Sequence, residues 1–146
     1  MSKLTSYAEE APFMNIAIEV DGKVYKFNLD TELKIHETKL NTELKEQSRS
    51  YAFICMLRNE LNQQSKRKFT AMKRKQDELF LKFKAKTDKV TEATAQAKND
   101  KSIIKMQDEL DSIESLKSVL DIAVASFTQR KDLLQTLSSN TRKQNT

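Results

Sequence analysis

The sequence predicts a mainly α protein: an N-terminal β-hairpin, a short helix, then a long antiparallel helical hairpin of coiled-coil character, joined into a homo-oligomer. Three observations carry this expectation. With one Gly and one Pro in 146 residues, and 32% charged against 38% hydrophobic residues, the chain has few places to turn, so long helices suit it better than a mixed sheet. Residues 14–28 are the exception, because apolar and polar side chains alternate on both sides of Asp21-Gly22. Finally, Met106, Ile113, Leu120, Phe127 and Leu134 recur at intervals of seven residues, the signature of a heptad seam.

Residues 1–13 are polar and read as a flexible arm. Asp-Gly between alternating runs is a strong hairpin signal, since a two-residue type I′ turn needs positive φ at both positions. The implied register pairs Val20 with Lys23, Ile18 with Tyr25 and Ile16 with Phe27. Ile16, Ile18, Val20, Tyr25 and Phe27 then share one face, and Ala17, Glu19, Val24 and Lys26 the other. A lone two-stranded hairpin is marginal in water, so that apolar face must pack on a helix or on another subunit.

The helical domain is expected over residues 29–137. Asp30 or Thr31 can cap a first helix of about 30–47, with Leu33, Leu40 and Leu44 on one side. Ser48-Arg49-Ser50 is its expected end or last turn. A second helix, about 51–87, carries Ile54, Leu57, Leu61, Ser65, Phe69, Met72, Gln76, Leu79 and Phe83 at spacings of three and four, one apolar seam. Residues 87–100 form a small, polar connection in which Thr91 can open a short helix to Lys98, and Asn99 or Asp100 can cap the next. The last helix, about 101–137, adds Ile103, Leu110 and Val124 to its heptads, interrupted by Lys117 and Lys131. Two long helices with a short connector fold back antiparallel. A further apolar line of Leu116, Ala123, Leu133 and Leu137 widens the seam enough to call for a third element or a neighbouring protomer. Residues 138–146 read as a flexible tail.

Charge is concentrated in residues 66–89, where ten Lys or Arg accompany three acids. That local balance of +7 exceeds the +5 of the whole chain. The triplets Lys66-Arg67-Lys68 and Lys73-Arg74-Lys75 lie seven residues apart, with Lys82 seven beyond Lys75. Seven residues are nearly two helical turns, so the triplets overlie one another as a basic stripe. Such a stripe attracts a polyanion, of which nucleic acid is the commonest extended kind in a cell. The plainer alternative is a solvated coiled-coil face, but such faces intersperse both signs. The expected nucleic-acid contacts are Lys66, Arg67, Lys68, Lys73, Arg74, Lys75, Lys82, Lys84 and Lys86. Phe69 and Phe83 fall on the seam and are expected in the core. Phe80 lies at its edge and is expected to stack on bases, an interaction worth ~1–3 kcal/mol per base where it is used.

Motifs of catalysis are missing from the sequence. His36 stands alone among charges and reads as a surface residue. Cys55, the lone cysteine, lies in an apolar stretch without a nearby His to activate it and reads as a small buried hydrophobe, in keeping with a reducing compartment. No Gly-rich phosphate loop, GxSxG or HExxH is present. Asp108, Glu109, Asp111 and Glu114 could imitate a Mg²⁺ site, but a balance to the basic helix opposite is the simpler reading. The expectation is a binding protein and not an enzyme, with no catalytic residues, cofactor or metal. The start has no apolar signal core, and no run approaches the ~20 apolar residues that span a bilayer, so no membrane partner and a cytoplasmic location are expected.

Three stretches carry a resemblance: Thr38-Lys39-Leu40 followed by Tyr51-Ala52-Phe53; Leu81-Lys82-Phe83-Lys84; and Asp100-Lys101-Ser102-Ile103-Ile104-Lys105 leading to Ala125-Ser126-Phe127 and Arg130-Lys131. In their order and spacing, over about residues 36–137, they make the chain similar to the phage recombination mediators of the UvsY type, small basic helical proteins. The resemblance implies single-stranded-DNA binding, loading of a recombinase onto DNA coated by single-strand-binding protein, and assembly into a ring, heptameric by that likeness. It would place the protein in the cytoplasm of a phage's host. In that family a Leu-Lys-x-Arg segment contributes to strand binding. Lys82 matches its Lys, while Lys84 stands where Arg is expected and replaces a planar fork by a point charge. The hairpin of residues 14–28 has no counterpart in the family, and the basic helix is about a turn longer. The alternative reading is a coiled-coil interaction protein, a holdase chaperone or virion scaffold whose basic helix meets an acidic partner. A chaperone tip would expose apolar residues, whereas residues 84–100 are polar.

Overall fold

A computed structural model describes Ala11 and residues 14–144. The elements are β1 (Asn15–Val20), β2 (Lys23–Asn28), α1 (Leu29–Leu33), a 3₁₀ turn (Glu37–Lys39), α2 (Leu40–Thr87), α3 (Val90–Lys98) and α4 (Lys101–Gln144). They divide into two units: Met1–Arg58 with Val119–Thr146, and Asn59–Ser118. No helix among the described residues is long and apolar enough to cross a membrane. The arm expected over residues 1–13 lies outside the described residues except for Ala11.

In the first unit, β1 and β2 pair antiparallel in the expected register, Ile16 with Phe27, Ile18 with Tyr25 and Val20 with Lys23. Asp21 and Gly22 turn the chain with φ of 51° and 80°, the two left-handed residues of a type I′ turn. Ile16 and Ile18 are buried, and Tyr25 meets Phe53 of α2 edge-on with ring centroids 5.5 Å apart. The hairpin's apolar face thus finds its support within the chain. α2 and α4 run antiparallel here: the Gln47 side chain donates to the Phe127 carbonyl at 2.7 Å, and Arg58 pairs with Asp121 at 3.6 Å.

The expected first helix, 30–47, does not form as one piece. Asn28 caps α1 in place of Asp30 or Thr31, accepting from the Thr31 N–H at 2.9 Å, and the chain leaves the helix at Lys34, whose backbone is extended. Arg130 explains the interruption. It donates to the carbonyls of Leu33 at 3.3 Å and Lys34 at 3.2 Å, acceptors that a continuing helix would have used within its own backbone. Conversely, nothing breaks the chain at Ser48-Arg49-Ser50. Gln47 is buried against α4 and Ile54 lies beneath the hairpin's aromatic side, so α2 runs unbroken from Leu40 to Thr87. The tail expected from 138 is helical to Gln144. Ser138, Thr141 and Arg142 line one side of a 640 Å³ groove against residues 37–42 and Leu44; without Gly or Pro, the helix has no local reason to stop.

The second unit has its own core of Met72, Leu79, Ala97, Ile103 and Leu110, with Phe80, Phe83 and Met106 packed against it. α2 and α4 are antiparallel here too, since Ser65 donates to Glu114 and Lys68 pairs with Glu109. Asp88 closes α2 with a left-handed φ of 57°. The connection then forms α3, which buries Ala93 and Ala97. Small side chains let this short helix sit close to the long pair.

Candidate nucleic-acid interface

The basic segment lies wholly in the second unit, residues 66–87 on the C-terminal part of α2 and Asp88 and Lys89 just beyond it. At about 100° per residue, the consecutive members of a triplet fan over roughly 200° of the helix surface, so the expected stripe is a broad band with two edges. One edge leans toward α4. There Lys68 is half-buried and ion-paired with Glu109, and Lys75 and Lys82 lie near enough to Asp100 to help depress its carboxyl. Arg67 is tied to Glu60 at 3.2 Å. The other edge carries Lys66, Lys73 and Lys84 together with Phe69 and Phe80.

Lys66, Lys73, Arg74, Lys75, Lys82, Lys84 and Lys86 are all exposed. Among the described residues none of the seven is in an ion pair. An exposed ammonium without a counter-charge keeps its field for a ligand, whereas Lys68 and Arg67 have theirs partly cancelled. The structure therefore separates the nine expected cations into two engaged in ion pairs and seven outside any among the described residues, of which Lys75 and Lys82 lie within the field of Asp100.

The phenylalanines exchange places. Phe69, expected in the core, is 48% exposed, while Phe80, expected to be offered for stacking, is half-buried against the Met72 and Leu79 cluster. The buried side follows Ile54, Leu57, Leu61, Ser65, Lys68, Met72, Gln76, Leu79 and Phe83, in which Lys68 replaces Phe69. That series repeats every eleven residues, a spacing of 3.67 per turn that lies close to the natural helical period. Glu109 opposite Lys68 makes the cation acceptable there. Lys73 Nζ lies 5.4 Å from the centre of the Phe69 ring, and Lys84 Nζ lies 6.0 Å from that of Phe80. Each pair is a Phe followed four residues later by a Lys, and the second pair follows the first by eleven residues. Leu81, Val90 and Ile104 are also exposed, so the end of this unit is less polar on its surface than the composition of residues 84–100 implies.

Acids of α4 mainly serve the fold. The Glu109 carboxyl is held below its usual range first by the hydrogen bond from Lys68 and then by the charges of Lys68 and Lys105. That of Glu114 is lowered first by Ser65 and then by Lys117. Asp111 accepts from Gln107 at 2.8 Å. No three metal-ligating side chains converge among the described residues. His36 is exposed and Cys55 is half-buried.

Asp100 caps α4, accepting from the Ser102 backbone N–H at 2.9 Å and the Ser102 hydroxyl at 2.5 Å. Its carboxyl is lowered first by the Ser102 side chain, then by the Ser102 backbone, with smaller help from Lys75 and Lys82 against the cost of burial. A carboxyl depressed in the folded state contributes stability above its unfolded value of 3.8 and loses it as pH falls through the folded value. Asn keeps the capping oxygen without titrating. The stability difference between wild type and Asp100→Asn, followed by urea unfolding, should therefore shrink as pH drops below about 4. A difference that stays constant through that range would show that the charge on Asp100 contributes nothing.

No protein-family model, curated protein or solved structure matches this chain.

Proposed function

We propose that the protein is a single-stranded-DNA-binding recombination mediator, which holds the strand while a recombinase displaces a single-strand-binding protein. The observation that carries the reading is the set of seven exposed cations of α2 with no ion-pair partner among the described residues. Their ligand is an extended polyanion, and the ammonium groups would neutralise its phosphates. In this proposal the chain acts as a homo-oligomeric ring. A strand held by one protomer then meets the next at high effective concentration, so weak contacts combine into a firm but exchangeable grip.

The test begins with a salt titration of binding to a labelled oligonucleotide. Log affinity should fall with log salt by about 0.7 for each phosphate contact. The Lys82→Ala/Lys84→Ala double variant should flatten that slope by up to about 1.4, with unchanged helicity. Both proteins should sediment at the same multiple of 16.9 kDa. Filament formation by the recombinase on coated DNA should be accelerated by the wild type and not by the variant. A monomer removes the ring, and tight binding without acceleration leaves a passive binder.

A second reading draws on exposed Leu81, Val90 and Ile104: an interaction protein that engages apolar segments of other chains. Suppressed aggregation of an unfolded polypeptide, combined with no DNA binding at low salt, would select it.

A further inference from the structure

The Phe69/Lys73 and Phe80/Lys84 pairs repeat along one edge of α2. Eleven residues are close to three full turns and rise about 16.5 Å, so the second pair recurs at nearly the same angle around the helix as the first. Lysines alone cannot tell a single strand from a duplex, because both offer phosphates. Aromatic rings can. A duplex has its base faces already stacked, and inserting a side chain between them costs a few kcal/mol per step. A single strand can lay a base directly on a ring.

From this repeat we infer that selectivity for single strands resides in the two phenylalanines, with Phe69 the principal base-stacking residue and Phe80 a secondary one. The inference rests on the single-strand reading proposed above and names the feature of the ligand that the site would recognise. Phe69 is 48% exposed on a helix whose buried side is already filled by Lys68 and Met72, so the ring is not needed in the core. Its lysine does not block it. A cation over an exposed ring is worth ~0.5–1 kcal/mol, whereas a stacked base is worth ~1–3 kcal/mol. When a base arrives, Lys73 can therefore give up the ring and move on its flexible stem to the adjoining phosphate. Lys84 would do the same at Phe80, but that ring is half-buried against the core and offers less surface. Because every base has a π-face, the selection is for strandedness and not for sequence.

The experiment measures binding of an oligothymidylate, an abasic deoxyribose-phosphate polymer of equal length, and a hairpin duplex of matched phosphate number. The wild type should prefer the oligothymidylate to both others by roughly tenfold or more. Phe69→Leu should lose most of that preference while binding the abasic polymer as the wild type does, and Phe69→Trp should restore it. Phe80→Leu should have the smaller effect. Equal wild-type binding to base-bearing and abasic polymers, or an unchanged preference in Phe69→Leu, overturns the stacking role while leaving single-strand binding in place. Failure of the wild type to bind any of the three at low salt overturns the parent reading and this inference together.

Discussion

Replacing Arg130 by Ala is expected to lower the stability of the first unit by about 3–5 kcal/mol, the range for a buried ion pair that loses one partner. The side chains of Arg130 and Glu43 are only 9% and 13% exposed. Arg130 also donates to the Gln47 side-chain oxygen at 2.5 Å and to the carbonyls of Leu33 and Lys34. Truncation leaves a buried carboxylate without its counter-charge and three further acceptors without this donor. It also frees the segment between α1 and α2 from α4. Lys should recover only part of the loss, because three donors on one nitrogen cannot match a planar fork that serves four acceptors. Urea unfolding should show a lower midpoint with little change in slope for Arg130→Lys, and a much lower one for Arg130→Ala. A loss under about 1 kcal/mol for the Ala variant would mean that water replaces the guanidinium at no cost, contrary to the burial.

On the single-strand reading proposed above, substituting Gln for Lys73, Arg74, Lys75, Lys82, Lys84 and Lys86 together should abolish measurable DNA binding at moderate salt. The formal net charge would pass from +5 to −1. With about 0.7 log units of slope per contact, the salt dependence should fall by up to about 4, and affinity near 50 mM salt by on the order of a thousandfold. The fold should survive. Gln is a good helix former, and none of the six is in an ion pair among the described residues. The two exposed cation–ring contacts that disappear are worth only ~0.5–1 kcal/mol each. Circular dichroism and thermal unfolding would check that point beside the binding curves. Retained affinity with a steep salt slope would move the site to other cations, Lys101 and Lys105 of α4 first among them.

The elements and the site were legible to different depths. Asp21-Gly22 with its alternating flanks specified both the turn and the register, because a one-residue slip would put Ile16 and Ile18 into water. The seam of α2 was legible except at one step. Ser65 to Met72 can be bridged through residue 68 or residue 69 with equal respect for helical spacing, and hydrophobicity favours Phe69. Glu109, forty-one residues further along the chain, reverses the choice by giving Lys68 a partner. The same step left Phe69 exposed, although periodicity had assigned it to the core. In α4 the register likewise shifts from Val124 and Lys131 to buried Ala123 and shielded Arg130.

By itself the sequence determined what depends on near neighbours: the type I′ turn, the helical period, the antiparallel return of two long helices, and the density of positive charge on residues 66–89. Those follow from backbone preferences and apolar spacing, which act over a few residues. Tertiary structure decided where α1 stops and α2 starts, which cations stay unpaired, and which phenylalanine faces water. Each of these turns on a side chain supplied from far along the chain, Arg130 for the carbonyls of Leu33 and Lys34 and Glu109 for Lys68. A hydrogen bond or ion pair of that kind is specified only when the fold brings its partners together, and local spacing carries no record of it.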